Sequence, residues 1–76
     1  SIRDIKFVIT GTFDDYSRNE LKNIIKRYGG KVSSSISKNT DFLILGENFG
    51  PSKKSKADNL GTNIISENDF KNLLLK

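Results

Sequence analysis

The chain has 76 residues with 13 lysine and arginine against 9 aspartate and glutamate, a formal net charge of +4, and neither cysteine nor histidine. Disulfide bridges, Cys/His zinc sites, thiol catalysis and histidine acid–base chemistry are therefore excluded. The charge is a mild bias toward nucleic acid, equally compatible with a merely soluble surface. We expect one small domain over residues 1–76 and no membrane partner, because the longest apolar runs are far too short to cross a bilayer.

The first half of the chain is predicted to form a strand, a helix and a second strand. Residues 5–9 are typical of a buried strand, which a Thr-Gly pair ends. Ser17 and Glu20 have the spacing of a capping box, which marks the start of a helix. An apolar stripe of helical period then follows at Leu21, Ile24, Ile25 and Tyr28. The pair Gly29-Gly30 ends this helix, and residues 31–33 form a short strand.

The second half is predicted to add two strands and two helices. Residues 42–45 are an apolar run suited to a central strand covered on both faces. A loop and a short helix to about Leu60 follow, with Gly61 as the C-cap. Residues 63–65 form a brief strand, and residues 66–69 cap a final helix. The order β-α-β-β-α-β-α predicts an α/β fold in which a small parallel sheet has helices on both faces.

Three lysines lie where a helix disfavours cations. Lys53, Lys54 and Lys56 crowd the first turn of the helix expected after residues 50–52. A helix N-terminus carries a partial positive charge from its unpaired N–H groups. Lysines at such an end either extend into solvent, which is the commoner case for isolated lysines, or hold a site for an anion.

The strand ends place further anion-binding groups near these lysines. Ligands of open parallel sheets bind beyond the carboxyl ends of the strands. Thr10 and Gly11 end the first strand, and Lys53 follows the third. The Thr10 hydroxyl, the Gly11 N–H and the Lys53 ammonium would form a compact phosphate cup. A plain strand-to-loop turn explains Gly11 equally well.

Other cations are candidates for the same surface. Arg18 follows the Ser17 cap directly and is again a cation at a helix N-terminus; its alternative is a surface ion pair with Asp14 or Asp15. A basic rim is expected from Lys31, Lys38, Lys54 and Lys56. A solvated helix face is the interpretation for Lys22, Lys26 and Arg27.

Catalytic patterns are not found. Residues 46–53 do not match the phosphate loop G-x-x-x-x-G-K-[ST], and the adjacent Asp14 and Asp15 point apart rather than share a metal or a proton. Nothing resembles a nucleophile with its base. The sequence therefore predicts a binding module with no cofactor and no metal, rather than an enzyme.

The chain resembles a BRCT domain in five segments, which are Phe-Val-Ile-Thr-Gly at 7–11, Ser-Arg-Asn-Glu at 17–20, Arg-Tyr-Gly-Gly-Lys-Val at 27–32, Ser-Lys-Asn-Thr-Asp-Phe-Leu-Ile at 37–44 and Ser-Lys-Lys-Ser-Lys-Ala at 52–57. The resemblance covers nearly the whole chain. Within the family, the sequence resembles the subgroup shared by the replication factor C large subunit and bacterial NAD-dependent DNA ligases. The 27–32 string and the length of the 46–53 loop favour replication factor C.

This resemblance implies a four-stranded parallel sheet flanked by three helices, with the second helix alone on one face. It implies binding of double-stranded DNA bearing a 5′ phosphate, through Thr10, Gly11, Arg18 and Lys53. It also implies a nuclear clamp loader with its other subunits as partners, or the cytoplasm if the parent is a bacterial ligase. A phosphoprotein-binding or other protein-interaction module is the alternative, and any ATPase or ligase activity would lie elsewhere in the parent protein.

Two departures from the family pattern bear on these expectations. Many BRCT domains have a tryptophan in the last helix, where this chain has Phe70. The replication factor C family has a helix upstream of the first strand that assists duplex binding. Because this chain begins just before that strand, we expect a phosphate pocket without full DNA affinity.

Overall fold

A computed structural model of the chain describes residues 2–75 and follows the predicted order of elements. The strands are β1 (Lys6–Thr10), β2 (Lys31–Ser33), β3 (Phe42–Leu45) and β4 (Asn63–Ile65), and the helices are α1 (Arg18–Arg27), α2 (Pro51–Leu60) and α3 (Glu67–Leu74). β1 lies one residue later than predicted. α2 begins two residues earlier than expected, because Pro51 fits the first helical position, where no N–H is needed. None of these helices is long and apolar enough to span a membrane.

The sheet is parallel throughout, in the order β2-β1-β3-β4. Thr10 at the end of β1 pairs with Leu45 at the end of β3. The loops that follow these two strands therefore leave the sheet side by side. The architecture confirms the predicted α/β class and the four-stranded parallel sheet with three helices.

The core is divided between the two faces of the sheet, because successive side chains of a strand point to opposite sides. One buried cluster joins β1 to α1 and α3 through Phe7, Ile9, Leu21, Ile25 and Phe70. The other joins the sheet to α2 through Val8, Ile36, Leu43 and Ala57. Accordingly, α2 covers one face alone, as the resemblance implied. Phe70 is fully buried, and its ring meets that of Phe7 edge-on, with 5.6 Å between the centroids.

The helices differ in how they begin. In α1, the Ser17 hydroxyl accepts from the Glu20 N–H at 3.1 Å, and the Ser17 N–H donates to the Glu20 carboxylate at 2.9 Å. Ser66 and Asp69 form the same capping box at α3. α2 has Gly50 as its N-cap residue, with no side-chain cap and no acidic residue in its first turn. The first N–H groups of α2 consequently lack the partners that the other two helices provide.

Candidate nucleic-acid interface

The loop after β1 is tied to the loop after β3 by three backbone hydrogen bonds. Thr12 N–H donates to the Glu47 carbonyl at 2.7 Å, Glu47 N–H donates to the Thr12 carbonyl at 2.9 Å, and Gly46 N–H donates to the Thr10 carbonyl at 2.9 Å. Gly11 has a φ of +91°, and a Cβ added to it would lie 2.7 Å from the Glu47 carbonyl oxygen. The turn alone therefore requires glycine at this position. None of the three bonds uses the Gly11 N–H, so its role as an anion donor stays a prediction.

The segment before α1 is anchored to the start of α3. The Glu67 carboxylate accepts from the N–H groups of Tyr16 at 3.0 Å and Asp15 at 3.4 Å. The Asp15 carboxylate forms an ion pair with Lys71. Within residues 2–75, Arg18 pairs with no carboxylate, so its proposed partnership with Asp14 or Asp15 is not formed. These contacts hold the start of α1 and leave the Arg18 guanidinium available to a ligand.

Arg18 and Lys53 line the same cleft, at the carboxyl end of β2. This basic cleft has a volume of about 520 Å³ and is lined by Ile9, Arg18, Lys22, Lys26, Val32, Ser33, Ser34 and Lys53. Four of these side chains are cationic, and none of the described residues in the lining carries a carboxylate. The structure thus brings together two candidate residues that stand on different helices, one on each face of the sheet.

Thr10 and Gly11 are not among the described residues that line the basic cleft. Thr10 follows Ile9, which does line the cleft, and is only 6% exposed. Its side chain shares a face of the sheet with Val8 and so points toward the α2 side. Of the four predicted phosphate-binding residues, Arg18 and Lys53 line the cleft, and Thr10 and Gly11 do not.

Lys22 and Lys26 were missed as candidates, because they were interpreted as a solvated helix face. Arg18, Lys22 and Lys26 follow one another at intervals of four residues and therefore share one face of α1. This spacing was the available signal in the sequence. The spacing becomes informative only because Lys53, on another helix, lines the same cleft.

The residues predicted for the basic rim separate into different surroundings. Lys54 forms an ion pair with Asp58 at 3.2 Å, one turn along α2. Lys56 shares a shallow depression with Lys53. Lys31 lines a second groove of about 480 Å³, called here the edge groove, and Lys38 lines neither this groove nor the basic cleft. The lining of the edge groove comprises Lys6, Lys26, Gly30, Lys31, Val32, Ser33, Ser37, Asn39 and Thr40.

The uncapped start of α2 has no steric cause. Gly50 has an ordinary φ of −75°, and a Cβ added to it would meet no atom within 4 Å. A serine or aspartate would fit there and cap the helix, as in α1 and α3. With Lys53 at the third helical position, the first turn of α2 combines unpaired N–H donors with a cation that faces the basic cleft. Such an arrangement is suited to an anion.

The chemistry available at this surface is electrostatic. In the part of the chain that the structure describes, no group of carboxylates is placed to hold a metal ion. The basic cleft provides a guanidinium, three ammonium groups and two serine hydroxyls. These groups bind oxyanions through charge-assisted hydrogen bonds.

The comparisons with known proteins agree with one another on the family. A family model described as the BRCA1 C Terminus (BRCT) domain matches residues 2–74. The chain is 57% identical over 68 residues to a DNA ligase of Christiangramia forsetii and 59% identical over 68 residues to one of Prochlorococcus marinus, which covers 90% of the chain and 10% of each ligase. It is 48% identical over 68 residues to human Replication factor C subunit 1, which covers 90% of the chain and 6% of that protein. The chain thus spans a tenth or less of the length of these relatives.

Proposed function

The chain belongs to the BRCT family, and from that premise we propose that it is a DNA-binding module which recognises the 5′-phosphorylated end of double-stranded DNA. The observation that supports this proposal most strongly is the basic cleft. Among the described residues, Arg18, Lys53 and two further cations line it, and no carboxylate does. A terminal phosphate carries between one and a half and two negative charges at neutral pH, by analogy with other phosphate monoesters. An internal diester carries one, so the cleft would favour the end.

Each group has a distinct part in the proposed binding. The planar guanidinium of Arg18 is suited to two parallel hydrogen bonds to a phosphate, whereas the Lys53 ammonium acts as a point charge. The uncapped N–H groups at the start of α2, the helix that carries Lys53, would supply neutral donors. We also assign the Thr10 hydroxyl and the Gly11 N–H to the phosphate, as the family resemblance implies.

The proposed contacts are to phosphate and not to base edges. Binding should therefore tolerate any sequence at the DNA end. It should also weaken steeply as salt is added, because each neutralised phosphate of duplex DNA contributes about −0.9 to the slope of log K against log salt concentration.

The relatives include DNA ligases and a replication factor C subunit, and we propose that the module belongs to a DNA replication or repair protein of one of these two kinds. The sequence string at 27–32 favoured replication factor C and hence a nuclear clamp loader, which stays a prediction. The greater identity to the ligases, 57% and 59% against 48%, favours a bacterial ligase and the cytoplasm. With either parent, we propose that catalysis and any partner subunits belong to other parts of the protein and that this module contributes DNA binding.

The test is a fluorescence-anisotropy titration with two duplexes that differ only in a 5′ phosphate or a 5′ hydroxyl. Wild type should prefer the phosphorylated end, and Arg18→Ala or Lys53→Ala should lower that preference about ten-fold or more, as expected for a charged hydrogen bond. Lys54→Ala is the matched control, because Lys54 lies next to Lys53 but pairs with Asp58 outside the cleft. Circular dichroism would check that each variant is folded.

Two outcomes would contradict the proposal. Equal affinity of wild type for the two duplexes would show that the cleft does not recognise a terminal phosphate. Tighter binding of a phosphoserine peptide than of the phosphorylated duplex would favour the protein-interaction alternative. The row of cations on α1 argues for DNA, since a single phosphoserine would occupy only one end of it.

A further inference from the structure

The basic cleft and the edge groove are continuous. They share Lys26, Val32 and Ser33 in their linings. The basic cleft lies at the carboxyl end of β2, and the edge groove extends from there to Gly30 and Lys31 at its amino end. Together the basic cleft and the edge groove form a path along the whole of β2.

Cations follow this path in order. Arg18, Lys22 and Lys26 advance along α1 by about 6 Å at each step of four residues. Lys31 and Lys6 continue the series at the amino ends of β2 and β1. Among residues 2–75, no carboxylate lines the basic cleft or the edge groove. A regular row of one sign of charge matches a linear polyanion and exceeds what a single phosphate would need.

The path is open to a long ligand because β2 is an edge strand. Of the described strands, β1 alone pairs with it. The uncharged polar side chains of the edge groove, Ser37 and Asn39 among them, can donate hydrogen bonds to phosphate and sugar oxygens. The surface is therefore suited to following a nucleic-acid backbone without reading its sequence.

We propose that this path holds the sugar–phosphate backbone of the 5′ strand of the duplex. The terminal phosphate lies near Arg18 and Lys53, and the following phosphates of the same strand lie against Lys22, Lys26 and Lys31. The direction of the strand rests on the proposed function, because that function places the 5′ end in the basic cleft. The strand then runs from the carboxyl end of β2 toward its amino end.

The experiment pairs a neutralised charge on the protein with one on the DNA. Methylphosphonate linkages, which are uncharged, replace the second and third linkages from the 5′ end of the phosphorylated strand. They should weaken wild-type binding several-fold and should have less effect on Lys26→Gln, because its partner charge is already lost. The double variant with Lys26→Gln and Lys31→Gln should flatten the salt slope by about 2.

Arg27→Gln is the matched control for this cycle. Arg27 is the neighbour of Lys26 in the same last turn of α1, it is exposed, and it lines neither cleft. Its loss removes the same charge from the protein but not from the path. This variant should keep the wild-type response to methylphosphonates.

The outcomes separate this inference from the proposed function. A preserved preference for the phosphorylated end, together with unchanged affinity and salt slope in the Lys26/Lys31 double variant, would overturn the path and leave end recognition intact. A full effect of methylphosphonates placed in the complementary strand, with none in the 5′ strand, would overturn the strand assignment. If wild type shows no preference for the 5′ phosphate but methylphosphonates still weaken its binding, end recognition is rejected and the path remains as a backbone site.

Discussion

Replacing Lys22 with glutamine should stabilise the free protein. Lys22 has Arg18 one turn before it and Lys26 one turn after it, and all three line the basic cleft without a carboxylate. Neither Asn19 nor Ile25, its neighbours three residues away, offers an opposite charge. The substitution removes both repulsive pairs, and glutamine matches lysine in helix propensity. A residue proposed to contact DNA thereby lowers the stability of the unbound fold.

The magnitude follows from the two pairs. Like charges four residues apart destabilise a helix by about 0.2–0.5 kcal/mol per pair, so Lys22→Gln should raise the free energy of unfolding by about 0.4–1 kcal/mol at low salt. For a domain of this size, that corresponds to an increase in melting temperature of roughly 2–8 °C. The gain should largely disappear in about 1 M salt, where the Debye length is only about 3 Å.

Thermal unfolding followed by circular dichroism, at low and high salt, measures this effect. Arg27→Gln is the control, since it lowers the net charge by the same amount but removes a favourable cation from the last turn of α1 and has Asn23 rather than a cation one turn before it. It should destabilise the helix by about 0.3–1 kcal/mol. Equal stabilisation by both variants would indicate a general charge effect. An unchanged or lowered melting temperature for Lys22→Gln would show that the three cations on α1 do not repel one another appreciably.

Three further substitutions test other parts of the site. Gly50→Ser should cap α2 and raise the free energy of unfolding by a few tenths of a kcal/mol in urea titrations. It should also weaken binding of the phosphorylated end, because the serine hydroxyl competes for the same N–H groups. Tighter binding of the phosphorylated end would contradict this. Gly11→Ala should cost about 1–3 kcal/mol in the same titrations, since φ is +91° and the new Cβ would press on the Glu47 carbonyl; wild-type stability would contradict the observed turn. Glu67→Ala should cost about 1–3 kcal/mol and accelerate amide hydrogen exchange at Tyr16, and unchanged exchange would show that this anchor is dispensable.

The two unusual features of the site both reduce the stability of the free protein. α2 lacks the cap that its backbone would accept at Gly50, and α1 carries consecutive cations on one face. An anion in the basic cleft would relieve both, because it accepts from the free N–H groups and neutralises the side chains. A ligand that binds only the folded state raises its stability. Phosphorylated duplex should therefore raise the melting temperature of the wild-type protein more than it raises that of Lys53→Ala.

Short-range patterns in the sequence are sufficient to predict the elements and the fold class. The Ser17–Glu20 capping box, the apolar run at residues 42–45 and the left-handed glycine after α2 depend on interactions within a few residues, and such local patterns can be read directly. The sequence also identified Arg18 and Lys53 as cations at helix starts. For both, the reason lay in the local electrostatics of a helix terminus.

Which of these groups lie together depends on how the helices pack on the sheet. The basic cleft exists because the parallel register of β1 and β3 and the packing of α1 and α2 on opposite faces bring Arg18 and Lys53 to one edge of the sheet. The same packing draws in Lys22 and Lys26, while Lys54 turns to Asp58. A cleft is a relation between segments distant along the chain, and its lining is set by how the layers pack, which no local periodicity encodes.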